Sequence, residues 1–241
     1  MRSRITIVVC SGLLLALLTL AYAWLPLPPP AIPERPSHPT ATEALQLLQA
    51  GNERFVNDRR LFQHLDKHRI QETALEQHPF ATILACSDSR VAVENLFDAG
   101  IGDLFVVRVA GNVCSDHEIG SIEYAVDHLQ TPLVVVLGHT HCGAVTAVVE
   151  DANVRGKFPH LAEHIGPAFR TAQKRRPQAE RSALLEETVR CNVEQAMADL
   201  LRYSGVIRTR ARHGTVRIVG AVYDLQSGKV DWLGEAREAA R

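Results

Sequence analysis

The chain has 241 residues, 22% of them charged and 46% hydrophobic, which suits one catalytic-size globular domain with appendages and excludes a wholly disordered or collagen-like chain. Lys+Arg 26 against Asp+Glu 27 leaves a formal net charge of −1, and aromatics are only 5%, so neither a basic surface nor stacking platforms argue for a nucleic-acid partner. Eleven histidines keep metal and acid–base chemistry open, and five cysteines are too few to staple a mini-protein.

Arg2 and Arg4 precede an apolar run from Ile5 to Leu20 that continues to Leu25. A basic start, an apolar middle and the small-x-small end Ala21-Tyr22-Ala23 match a secretory signal cut after Ala23. At roughly 20 residues the run is also long enough to remain as a membrane anchor. Either reading sets residues 1–25 apart and exports the rest, released into or tethered facing the periplasm. Residues 26–40 are rich in proline, from Pro26 to Pro39, and predict an extended linker. The catalytic domain is expected over residues 41–241.

Thr42 can cap a first helix carrying Ala44, Leu45, Leu47 and Leu48, with Gly51 near its end. Four short apolar runs then read as buried strands: Phe80–Ala85, Leu104–Val107, Pro132–Leu137 and Val216–Val222. Helical patterns lie between them at Ile119–Leu129, Ala144–Val149 and Ala183–Tyr203. Val219–Tyr223 and Val230–Leu233 flank a turn and read as a hairpin. The alternation predicts an α/β fold: a largely parallel central sheet with an antiparallel edge strand, flanked by helices.

In open parallel sheets, chemistry gathers beyond the carboxyl ends of strands. The first predicted strand ends in Cys86-Ser87-Asp88-Ser89-Arg90, and the third in Gly138-His139-Thr140-His141-Cys142-Gly143-Ala144. His139 and Cys142, three residues apart in a turn entering a helix, can point the same way. Imidazole nitrogen and thiolate are favoured Zn²⁺ ligands, Cys86 can supply a third, and three ligands leave one position open as in catalytic sites. The same residues admit other readings. Cys86 alone suits a core, Cys86 and Cys142 suit a disulfide in an exported protein, and His141 competes with His139. Asp88 and Arg90, one residue apart, would share a face of an extended segment. Arg90 can then hold the Asp88 carboxylate by two parallel hydrogen bonds, so that the pair orients and accepts a proton from water at the metal. The alternative is a surface ion pair.

These residues together resemble the β-class carbonic anhydrases. The likeness extends through Gly102-Asp103-Leu104-Phe105-Val106-Val107-Arg108-Val109-Ala110-Gly111-Asn112, through Ser121–Val126 and through Gly220–Leu225, in one colinear order over most of residues 41–235. The resemblance implies one Zn²⁺ per chain on Cys86, His139 and Cys142, and reversible hydration of CO₂ to bicarbonate and a proton. It implies that Asp88 and Arg90 form the catalytic dyad, that Gln77 donates a hydrogen bond to substrate, and that Phe105 and Tyr124 line an aromatic pocket. It also implies self-association, as a homodimer or a tetramer of dimers. Ile83 stands where the bicarbonate-inhibited subtype carries tryptophan, so an active-type site is expected. Val109 and Val93 depart from common family residues, and neither is a ligand or part of the dyad. Two rival functions share these residues: a zinc hydrolase acting on carbonyl sulfide or carbon disulfide, and a non-catalytic exported zinc-binding module.

Overall fold

The computed structural model describes Pro36, residues 38–152 and residues 155–236. The signal-or-anchor reading of residues 1–25 and most of the linker reading of 26–40 lie outside the described residues. Among the described residues, no helix is long and apolar enough to cross a membrane.

Four apolar segments form strands β1 (Ala81–Ala85), β2 (Leu104–Arg108), β3 (Leu133–His139) and β4 (Arg217–Tyr223), and Val230–Glu235 forms β5. Their order across the sheet is β2-β1-β3-β4-β5. The first four run parallel, and β5 pairs antiparallel with β4 through an irregularity at Gly220/Ala221. The predicted fold class is therefore the observed one.

Side chains of a strand alternate between faces, and that alternation builds two cores. Ile83, Ala85, Leu133, Val135, Leu137, Val219 and Ala221 point to one face. They are covered by helix α1 (Ala41–Val56), through Ala44 and Leu48, and by the short α3 (Val93–Leu96). Leu84, Cys86, Val134, Val136, Ile218 and Val222 point to the other. There they meet α4 (Asp116–Asp127), α5 (Gly143–Val149), α6 (Phe158–Arg175), α7 (Arg181–Tyr203) and α8 (Gly205–Arg212). A short helix α2 (Lys67–Glu72) precedes β1.

Gly138 lets α7 approach the sheet. A Cβ there would lie 2.7 Å from Val193 Cγ2, so only glycine allows α7 to sit this low beside the end of β3.

Three details depart from the sequence reading. The first helix is capped by Thr40, not Thr42, because Thr40 and Glu43 form a reciprocal capping box. Thr42 lies in the first turn, where its hydroxyl accepts from Arg217 at 2.9 Å. Gly51 lies inside that helix rather than near its end, where a Cβ would fall 1.9 Å from the Phe97 carbonyl oxygen. Helices α2, α3, α6 and α8 had no counterpart in the apolar pattern.

Candidate metal centre

β1 and β3 are neighbours in the sheet, so the segments that leave their carboxyl ends lie side by side. β1 delivers Cys86. β3 ends on His139, and a two-residue turn brings Cys142 to the N-cap of α5. The Cys86 and Cys142 sulfurs are 4.0 Å apart. The ligand atoms of Cys86, His139 and Cys142 all lie within 4.8 Å of one another, and all three residues are buried.

The geometry distinguishes a metal site from a disulfide. A disulfide brings sulfurs to ~2.05 Å, about half the observed separation. A tetrahedral ion with Zn–S bonds of ~2.3 Å sets two sulfur ligands roughly 3.8 Å apart. Both cysteines are free thiols. His139 is fully buried, and its Nε2 is without a hydrogen-bond partner. Its Nδ1 lies 2.9 Å from the Thr140 carbonyl oxygen. A carbonyl only accepts, so Nδ1 carries the proton and Nε2 presents a bare lone pair. His141, the competing ligand, is exposed and stands in the left-handed region at φ 54°.

The thiol acidities agree with this reading. Cys86 is pulled down to about 4, chiefly by the hydrogen bond from the Cys142 thiol, with His139 and the Gly111 N–H adding. Cys142 is pushed up by that same contact with Cys86 and by burial. One thiolate therefore stands easily in this site, and a second buried negative charge beside it needs a cation. Cys114 is pushed up by burial, and Cys191 is pushed up to about 11 for the same reason. The trio thus fits a zinc ion in donor type, spacing and its unpartnered nitrogen.

Asp88 and Arg90 stand beside the trio. Arg90 Nε donates to Asp88 Oδ1 at 2.9 Å and Nη2 to Oδ2 at 2.7 Å. The Arg90 backbone N–H also donates to Oδ1 at 3.0 Å. That last bond makes the segment an Asx turn, not the extended stretch assumed from the sequence, and it brings both side chains together more tightly. Asp88 Oδ2 is 3.9 Å from His139 Nε2. The Arg90 guanidinium holds the Asp88 carboxyl well below the usual carboxylate range, against an opposing effect of burial.

Gln77, Phe105 and Tyr124 are placed differently. Gln77 is exposed in the irregular segment ahead of β1. Phe105 on β2 packs against Tyr124 on α4 with ring centroids 6.1 Å apart, and Tyr124 remains 47% exposed. Among the described residues, no hydrogen bond or ring contact joins these three to the trio.

Two supports escaped the sequence reading. Arg108, at the end of β2, donates from Nε to the Cys86 carbonyl at 3.1 Å and from Nη2 to the Asp88 carbonyl at 2.7 Å. The Gly111 N–H donates to Cys86 Sγ at 3.3 Å, and the buried Asn192 of α7 donates to the Gly111 carbonyl at 2.7 Å. Arg108 closes the apolar run Leu104–Val107 and, with Gly111, lies in a stretch that carries the family likeness, but neither was given a role there.

A family model described as carbonic anhydrase matches residues 81–230. The chain belongs to the β-carbonic anhydrase family. Carbonic anhydrase 2 of Mycobacterium tuberculosis (strain ATCC 25618 / H37Rv) is 39% identical over 202 residues, covering 81% of this chain and 95% of that protein. The carbonic anhydrase of Mycolicibacterium smegmatis is 38% identical over 199 residues, covering 81% and 93%. Among solved structures, the Coccomyxa β-carbonic anhydrase in complex with acetazolamide matches with a TM-score of 0.64 at 25% identity, covering 78% of this chain and 85% of that one. The β-carbonic anhydrase CcaA matches with the same TM-score and identity, covering 81% and 93%. Zinc is the metal of this family, and among the described residues the Cys86–His139–Cys142 group fits it.

Proposed function

We propose that this chain catalyses the reversible hydration of CO₂ to bicarbonate and a proton, with Cys86, His139 and Cys142 as zinc ligands and Asp88 and Arg90 as the catalytic dyad. One observation carries the reading: the unpartnered His139 Nε2 faces two free sulfurs 4.0 Å apart, with an arginine-held carboxylate 3.9 Å from that nitrogen. Held by these three residues, zinc would supply a Lewis acid that brings the pKa of a neighbouring water down to ~7.

The residues of the chain do the rest. Asp88 is ionised and accepts hydrogen bonds only, so it orients the water by taking one of its protons in a hydrogen bond. Arg90 occupies both Asp88 oxygens and keeps the carboxylate from filling the open position. Hydration forms one C–O bond, moves a C=O electron pair onto oxygen, and leaves one proton to pass to solvent. An amide donor such as Gln77 stabilises the oxygen on which charge develops, and Phe105 and Tyr124 offer an apolar wall to CO₂.

Those last three residues fit best in a self-associated protein. β2 is an edge strand bonded only to β1, and Leu104–Val107 are all half-buried rather than buried. An apolar open edge calls for cover. A second copy on this edge completes the site with Gln77, Phe105 and Tyr124, in a homodimer or a tetramer of dimers. The Arg2/Arg4 start, the apolar run to Leu25 and the proline-rich residues 26–40 support export to the periplasm, released or membrane-tethered.

The test is stopped-flow CO₂ hydration with zinc analysis on the purified protein. The expected result is one zinc per chain and turnover that disappears together with zinc in Cys142→Ala. A zinc-loaded wild type without CO₂ hydration, or full zinc occupancy in Cys142→Ala, would defeat the assignment. Light scattering that finds an active monomer at micromolar concentration would defeat the shared site.

A further inference from the structure

Among the described residues, the His139 ring is oriented by the hydrogen bond from Nδ1 to the carbonyl of its own successor, Thr140, at 2.9 Å. That bond fixes which nitrogen is bare and where the ring points. Its value depends on how firmly the Thr140 peptide is held. The next residue, His141, sits at φ 54°, a left-handed conformation that non-glycine residues adopt at a cost. The turn therefore needs external support. Arg90 Nη2 makes a long contact with the His141 carbonyl at 3.4 Å, and three shorter hydrogen bonds come from the end of β4 and the β4–β5 connection. The Thr140 N–H donates to the Tyr223 carbonyl at 2.9 Å. The Thr140 hydroxyl donates to Asp224 Oδ1 at 3.3 Å and accepts from the Leu225 N–H at 3.0 Å.

Asp224 is itself immobilised. Its carboxylate accepts the Gln226 N–H at 3.0 Å and the Ser227 hydroxyl at 2.6 Å. Its backbone closes the turn, with its N–H on the Lys229 carbonyl at 2.8 Å and its carbonyl accepting the Gly228 N–H at 2.9 Å. A rigid chain of contacts thus runs from the β4–β5 turn through Asp224 and Thr140 to the ring of His139. Of these bonds only the long one to the His141 carbonyl involves Arg90, and none involves Cys86, Cys142 or Asp88.

We infer that Asp224 and the Thr140 hydroxyl are positioning residues for the metal ligand His139: they clamp the peptide whose carbonyl sets the tautomer and direction of the imidazole. The inference rests on the zinc site proposed above. Partners that orient a ligating histidine typically contribute 10–100-fold to metal affinity. Thr140→Val removes the hydroxyl with little change of shape, and Thr140→Ser retains it. Asp224→Ala removes the acceptor, and Asp224→Asn retains an oxygen in its place.

The experiment measures zinc release to a chromogenic chelator from the full-length protein, alongside the melting temperature of each variant after zinc removal. Zinc content of the wild type tests the site itself; the ratio of variant to wild type tests the clamp. The expected result is release roughly 10–100-fold faster in Thr140→Val and Asp224→Ala. Thr140→Ser and Asp224→Asn should stay close to wild type, and the zinc-free melting temperatures should change little. Release within twofold of wild type in both Thr140→Val and Asp224→Ala overturns the inference. So does a fall in the zinc-free melting temperature as large as that of the zinc-loaded protein, or failure of both variants to fold, because the hydroxyl and carboxylate would then support the turn and not the ligand.

Discussion

Arg90→Ala isolates the dyad from the metal ligands. In the wild type three donors hold the Asp88 carboxylate: two from the guanidinium, at 2.9 and 2.7 Å, and the Arg90 backbone N–H at 3.0 Å. The substitution removes the first two and leaves the third; it also removes the longer contact from Nη2 to the His141 carbonyl at 3.4 Å. The Arg90 side chain is 55% exposed, so water screens the pair and it contributes little to folding. Its effect is on the orientation of the carboxylate, and the loss in kcat/KM should be roughly tenfold or more. The freed carboxylate, 3.9 Å from His139 Nε2, then competes for the open coordination position. Zinc content should stay normal, since Cys86, His139 and Cys142 are untouched. Arg90→Lys should recover only part of the loss, because an ammonium cannot grip both oxygens as the planar fork does. The assay is stopped-flow CO₂ hydration from pH 6.5 to 9 with zinc measured on the same samples. The shape of the pH profile should hold while its height falls. The folded-state pKa of Asp88 is depressed, so the stability that this group contributes is present above its unfolded value of ~3.9 and is lost as pH falls further, through the folded value. That window lies below the assay range, and without Arg90 the carboxyl is still ionised at pH 6.5. Near-normal turnover in a zinc-replete Arg90→Ala protein would show that the pair is only a surface contact and that the dyad role is wrong.

Three further outcomes are testable, two from the geometry and one from the sequence of residues 1–39. In zinc-stripped protein at pH 7.5, iodoacetamide should label Cys86 ahead of Cys114 and Cys191, because the Cys142 hydrogen bond holds its thiol low. Cys114, and Cys191 at about 11, should remain protonated and unlabelled until the protein unfolds; peptide mass spectrometry that finds Cys191 labelled before Cys86 would contradict this ordering. Gly138→Ala sets a Cβ 2.7 Å from Val193 Cγ2 and 3.4 Å from Val189 Cγ1, an overpacking that costs about 1–3 kcal/mol. Calorimetry should show the melting temperature fall by ~2–4 °C for each kcal/mol lost, and an unchanged value would mean that α7 moves away freely. A reporter fused after Pro39 should be active only outside the cytoplasm, and intact-mass measurement would separate cleavage after Ala23 from retention of residues 1–25.

Legibility divided along a physical line. The strands could be read because buried parallel strands are uninterrupted apolar runs, and β1 to β4 are such runs. Helix α6 could not, because Pro159 and Pro167 read as breakers. In the fold Pro159 falls in the first turn, where its missing N–H has no intrahelical partner to lose. Pro167 forgoes one bond in the helix interior while Ile165, Ala168 and Ala172 pack beneath it. The cap at Thr40 was missed for a similar reason. The apolar pattern suggested Thr42, and the reciprocal pairing with Glu43 decided for Thr40.

The site divides the same way. Cys86, His139 and Cys142 announce themselves because thiolate and imidazole are favoured zinc donors and few residue types can take their place. Their supports have no such chemistry to mark their role, although Arg108 and Asp224 lie in stretches that carry the family likeness. Arg108 reaches the Cys86 carbonyl from 22 residues away, Asn192 reaches the Gly111 carbonyl across 81, and Asp224 holds Thr140 across 84. Arg108 and Asn192 each satisfy a backbone carbonyl, Asp224 satisfies a hydroxyl, and several side chains can do either. The demand on residue type is weak while the demand on position is strict. That position is set by which strands are neighbours, and neighbours become known only once the sheet order β2-β1-β3-β4-β5 is fixed. A ligand set can therefore be read from sequence before the fold is known, whereas the parts that orient it can be found only afterwards. For this reason Asp224 and Arg108, rather than the ligands, are where substitution experiments add most.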